Sequence, residues 1–174
     1  MTEQQREASE DAVMTRIGQA IILLHAGDRE EARNRLGDIW NEIGEEGPAL
    51  HRCTLAHYMA DAQDDPADEL AWDLRALNAA DGLRQEPITL PLPQPHSAVR
   101  VFYPSLHLNL AADYVKLSRP EAARIHLARA RAATDALADD GYGDGVRAAI
   151  SRLELRLGTG PDADPRPTPF PGQQ

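Results

Sequence analysis

Two stretches of this chain lie on one another without a gap when offset by ninety-one residues, and that internal copy limits the fold more than any other feature. The later stretch runs from Tyr103 to Ala133, YPSLHLNLAADYVKLSRPEAARIHLARARAA; the earlier one is GQAIILLHAGDREEARNRLGDI. Ala111 falls on Ala20, Glu121 on Glu30, Ala123 on Ala32, Arg124 on Arg33 and Leu127 on Leu36. Two helices approach closely only where a side chain is small, and a leucine beside each alanine fills the adjoining volume. In the later stretch Leu106, Leu110, Tyr114 and Leu117 recur at spacings of four, four and three, along one side of a helix. Leu108, Ala111, Ala112 and Val115 make a second apolar side, which leaves a polar strip of Asn109, Asp113 and Lys116. The chain then breaks at Ser118-Arg119-Pro120-Glu121, because a proline in a first helical turn lacks only an amide hydrogen that has no intrahelical partner. The second helix carries Ala123, Leu127, Ala130 and Leu137 on its apolar stripe, with Arg124, Arg129 and Arg131 on the remaining surface.

The sequence of Leu110 and Ala111, then Tyr114, then Ala123, Leu127 and Ala130 resembles the tetratricopeptide repeat, a unit of about 34 residues whose two helices stack into a superhelix. His107 stands where that repeat usually carries tryptophan, and Leu23 where the first unit would carry tyrosine. The third unit also resembles the stand-alone tetratricopeptide proteins of high-GC actinobacteria. The resemblance implies an all-α fold, a right-handed superhelix of antiparallel helix pairs with a C-terminal capping helix. It also implies a concave groove, lined by the first helix of each pair, that takes a protein or peptide.

Taken in order, residues 1–8 read as a disordered N-terminus and 9–157 as the helical domain, with Ser9 able to cap the first helix. The units are expected at 9–44, 49–83 and 103–138, a proline-rich linker at 84–102, and the capping helix at 142–157. Val13, Ile17, Ile21 and Leu24, then Ala32, Leu36, Ile39 and Ile43, face inward in the first unit, separated by the Ala26-Gly27-Asp28 turn. Trp40 sits off that stripe and is expected to pack against a neighbour or an edge. The middle unit, with Leu70, Leu74 and Leu77 as its second-helix stripe, aligns with the others only if its turn gains a residue. In the linker, prolines at 87, 91, 93 and 95 forbid helix, and the alternation of Ile88, Leu90 and Leu92 favours docking on the helices over a flexible insert. Gly141-Tyr142-Gly143-Asp144-Gly145 reads as a flexible turn, and the proline-rich 158–174 as a disordered tail.

Composition excludes several classes. A formal net charge of -10 opposes non-specific binding to nucleic acid or to an anionic membrane face, both of which need an attractive basic field. No apolar run reaches the roughly 20 residues of a membrane span, and the polar MTEQQREASED start is neither a signal peptide nor a targeting helix. Cys53 stands alone, which fits a reducing cytoplasm.

The chemistry on offer is sparse. Cys53, His57, Asp61 and Asp64 follow at four, four and three and so share a helix side, but no second Cys/His pair completes a metal set, and neither metal nor cofactor is expected. No nucleophile elbow or phosphate loop occurs, and no catalytic residue is assigned. By the repeat resemblance, His57, Tyr58, Asp61, Tyr103, His107, Asn109, Asp113 and Lys116 come near the groove as candidate ligand- or peptide-binding residues. Some families of the repeat hold a peptide carboxylate with paired lysine and asparagine residues, and Asn109 and Lys116 resemble fragments of such a clamp. The first unit offers Ile17, Ile21 and Leu24 instead, so a mixed or apolar groove is expected. The second reading is a small polar ligand, with enzymatic use left open, in a cavity that holds His57 and His107 and is closed by the 84–102 linker. The plain alternative for His107 is packing between helices.

Overall fold

The computed structural model describes residues 2–85 and 95–159, and these form seven α-helices and no strand. They are α1 (Glu3–His25), α2 (Arg29–Ile43), α3 (Ala49–Asp61), α4 (Pro66–Gln85), α5 (Pro95–Lys116), α6 (Pro120–Ala132) and α7 (Gly141–Leu157), with a single 3-10 turn, Thr134–Ala136, after α6. Each helix packs on the next, and the odd-numbered helices also touch in succession, α1 on α3, α3 on α5 and α5 on α7.

Three consecutive cores follow from that packing. Val13, Ile17 and Ala20 of α1 meet Leu36 and Ile39 of α2 and Leu55 and Met59 of α3. Cys53 and Ala56, on another side of α3, meet Ala76, Ala80 and Leu83 of α4 and Leu106 of α5. Ala111 of α5 meets Leu127 and Ala130 of α6 and Val146 and Ile150 of α7. Helices α3 and α5 each serve two cores, which is why both are apolar around most of their circumference. Ala20 and Ala111 are both fully buried, and burial of each neighbouring leucine contributes about 1.5–3 kcal/mol.

The offset of ninety-one residues extends to the backbone of the turns. Asp28 N–H bonds Leu23 C=O at 3.0 Å, and Arg119 N–H bonds Tyr114 C=O at 2.7 Å, at matching positions. Gly27 lies at φ 92° and its counterpart Ser118 at φ 57°, in the left-handed region where glycine is at ease and serine is strained. The α3–α4 connection, residues 62–65, is one residue longer than those between α1 and α2 or α5 and α6. Asp65 closes it by accepting the N–H groups of Ala67 and Asp68.

Several expectations are corrected. Helix α1 begins at Glu3, not Ser9, because Thr2 and Gln5 form a reciprocal capping box. Helix α5 begins at Pro95, where the missing amide costs nothing, and reaches back well before Tyr103, with Pro104 inside it. The buried side of α4 is Asp73, Ala76, Ala80 and Leu83, and Leu74 is exposed, because the alanines let α4 lie close between its neighbours. The glycine-rich run at 141–145 is the first turn of α7, capped by Asp140, which accepts the N–H of Gly143 at 2.8 Å. Trp40 does pack against a neighbour as expected, edge-to-face on Trp72 with 5.1 Å between ring centres and Arg75 over the Trp72 ring. Arg131, expected on the open surface, grips Glu154 through two hydrogen bonds of 2.9 and 2.6 Å, and Arg147 of α7 donates to the Leu137 and Ala138 carbonyls. The linker residues Ile88, Leu90 and Leu92 and the tail at 160–174 lie outside the described residues.

Candidate functional site

The expected site residues separate into two groups. His57, Asn109, Asp113 and Lys116 gather where α3, α4 and α5 meet, together with Asp73 and Glu69 of α4. His57 Nδ1 lies 3.4 Å from Asn109 Nδ2 and 3.8 Å from an Asp73 oxygen. Lys116 Nζ donates to both oxygens of Glu69, at 2.6 and 2.7 Å, and lies 3.9 Å from Asp113 Oδ1. Tyr58 is half-buried and packs its edge on the His57 ring at 5.0 Å, while Asp61 is exposed at the end of α3.

This junction is acid-rich. Asp73 and Asp113 are each 1% exposed, and neither Asp73 oxygen nor Asp113 Oδ2 has a donor among the described residues. Burial, then the neighbouring Asp73, push the Asp113 carboxyl up to about 9, so Asp113 keeps its proton at neutral pH. Burial pulls His57 down, but the nearby Asp73 carboxylate and the charge of Asp61 outweigh it and raise its pKa. Burial raises the Asp61 carboxyl against the pull of His57, and burial and Asp61 raise the Tyr58 hydroxyl.

Two expectations change here. Asp113 does not belong to a solvated strip, because α4 covers it with Asp73, and it cannot meet a ligand as an open side chain. Lys116 is no open clamp arm, since Glu69 of α4 holds its ammonium. Cys53 points into the core and its thiol is pushed up to about 12 by burial, then by Asp73. Asp64 turns to Arg29 and Arg33. The Cys53, His57, Asp61, Asp64 row is therefore dispersed, and no metal-holding group of three occurs among the described residues.

Tyr103 and His107 belong to the second group, at a cleft of about 830 Å³ between α4, α5 and the end of α6. His57 does not line it. Leu77 and Asp81 come from α4 and Arg100 from α5, while Arg129 and the small Ala132 and Ala133 come from the last turn of α6 and the residue after it. Tyr103 Oη donates to Asp81 at 2.8 Å. His107 and His126 face each other through Nδ1, 3.0 Å apart, so one ring donates and the other accepts. Burial, then His126 and Arg129, push His107 down to about 4, and burial and Arg129 lower His126, so both rings are neutral. The rings of Tyr103, His107, His126 and Tyr114 form a continuous ladder. This is the packing role for His107, with one edge left to the cleft.

A second concavity, of about 360 Å³, runs between α5 and α7. Leu108, Ala112, Ala149 and Leu153 supply its apolar surface, and Asn109, Arg152 and Arg156 its polar groups. Of these only Asn109 was expected. Asp73, Glu69 and His126 were missed because each acts from a helix that meets its partners only through tertiary packing. Compared with protein-family models, curated proteins and solved structures, the chain matches none.

Proposed function

We propose that the chain is a tetratricopeptide-like binding adaptor of the cytoplasm, and that the α5–α7 groove receives a protein segment or peptide. The succession of odd-numbered helices in mutual contact supports a repeat stack, as do the buried alanines at matching places and the repeated turn geometry. The groove itself carries the proposal. Its apolar floor sits beside Asn109 and two guanidinium groups, Arg152 and Arg156, that have no carboxylate partner among the described residues. In a chain of net charge -10, two such arginines beside apolar surface suit a segment with apolar side chains and an acidic side chain or terminal carboxylate.

The test is peptide selection on the immobilised protein, followed by fluorescence polarisation with the enriched sequences. Acid-bearing apolar peptides should emerge and lose at least about tenfold in affinity for a variant carrying Asn109→Ala, Arg152→Gln and Arg156→Gln, since each charge-assisted hydrogen bond contributes about 1.5–3 kcal/mol. Equal affinity for that variant refutes the groove. The second reading, a small polar ligand, is favoured by the separate cleft at Tyr103 and His107.

A further inference from the structure

The α4–α5–α6 cleft combines features that the peptide groove does not share. Its volume of about 830 Å³ falls within the roughly 300–1,000 Å³ of small-molecule sites and exceeds what one amino acid fills. Arg100 and Arg129 line it with no carboxylate partner among the described residues, although most arginines of the first two helices are paired. Asp135, at the 3-10 turn, lines the same cleft with no donor among the described residues. Asp81 is fixed by the Tyr103 hydroxyl through Oδ1, which leaves its other oxygen. Unpaired charges of both signs therefore border one concavity, with Leu77, Ala132 and Ala133 as apolar surface between them.

A simple anion would meet two carboxylates here, and a simple cation two guanidiniums. Only a ligand carrying both charges, set apart by a short apolar body, meets the lining without leaving one sign unanswered. We propose that this cleft binds a small zwitterion of dipeptide size, its carboxylate on Arg100 and Arg129 and its ammonium on Asp135 and Asp81. The Tyr103–His107–His126 ladder holds the α5 wall rigid, which lowers the entropy lost on binding.

Isothermal titration calorimetry on the full chain tests this with L-alanyl-L-phenylalanine as probe. Its N-acetyl derivative lacks the ammonium and its C-terminal amide lacks the carboxylate. The dipeptide should bind at one site, and each derivative should bind at least about tenfold more weakly, the loss of one charge-assisted hydrogen bond. Arg129→Gln should reproduce the loss seen with the amide, and Asp135→Asn the loss seen with the N-acetyl form. Both residues are exposed, so both variants should keep the parent circular dichroism spectrum. Arg152→Gln with Arg156→Gln should leave dipeptide binding unchanged, which separates this cleft from the α5–α7 groove. No heat at millimolar dipeptide, equal binding of the three probes, or displacement by inorganic phosphate alone would each overturn the proposal.

Discussion

Replacing Asp113 with asparagine should stabilise the protein in a pH-dependent way. Asp113 and Asp73 are both 1% exposed, and three of their four oxygens have no donor among the described residues. Burial and Asp73 lift the Asp113 carboxyl to about 9, against about 3.9 in an unfolded chain. Between those values the folded state holds a proton that the unfolded state has released, so stability is full below about pH 4 and falls as pH rises towards 9. Five units at about 1.36 kcal/mol each set a ceiling of ~7 kcal/mol. An effective interior dielectric nearer 20 than 4 reduces the accessible part to ~2–3 kcal/mol. Asparagine donates its amide to Asp73 at every pH and so imitates the protonated carboxyl. Urea unfolding followed by circular dichroism should show parent and Asp113→Asn alike near pH 4.5, with the variant ahead by ~2 kcal/mol at pH 8.5. Asp61→Asn, at an exposed carboxyl on the same junction, should gain much less. A gap between Asp113→Asn and parent that stays constant with pH, or a variant weaker at pH 8.5, would refute a proton retained on Asp113.

Ser118→Gly should raise stability by about 0.5–1 kcal/mol, because it relieves a serine at φ 57° where the matching turn already has glycine; a lower urea midpoint would contradict this. Gly143→Ala should cost at least about 2 kcal/mol, since its Cβ would stand 2.1 Å from the Ala138 carbonyl oxygen, whereas Gly82→Ala in α4 meets nothing within 4 Å and should gain about 0.5–1 kcal/mol. Cys53 should react with a disulfide reagent only at the rate of opening or unfolding, as the thiol is 1% exposed and pushed up to about 12; immediate stoichiometric labelling of the native chain would contradict its burial.

Much of the scaffold was legible because close helix packing writes itself into residue size. The pairing of Ala20 with Ala111 and Leu36 with Leu127 located equivalent helix pairs, and the turns at Gly27 and Ser118 repeat the same hydrogen bonds. The start of α1 was misread at Ser9, although Thr2 and Gln5 carry the spacing of a capping box. What stayed hidden was polar and buried. Periodicity assigns a charged residue to solvent, so Asp113 read as part of a wet strip and Asp73 drew no notice. Only the lie of α4 across α5 brings them together. For the same reason Leu74 read as core, although the alanines at 76, 79 and 80 are what α4 buries. The large cleft is assembled from three consecutive helices and the turn after them, and no spacing within any one of them announces it.

Trp40 and Trp72 are the chain's two tryptophans, and they meet edge-to-face between α2 and α4. The tryptophan emission of the whole molecule therefore originates at one joint in its N-terminal half. A spectroscopist watching that emission would see the first two helix pairs come apart, and would be blind to the loosening of α6 and α7 until it reached them.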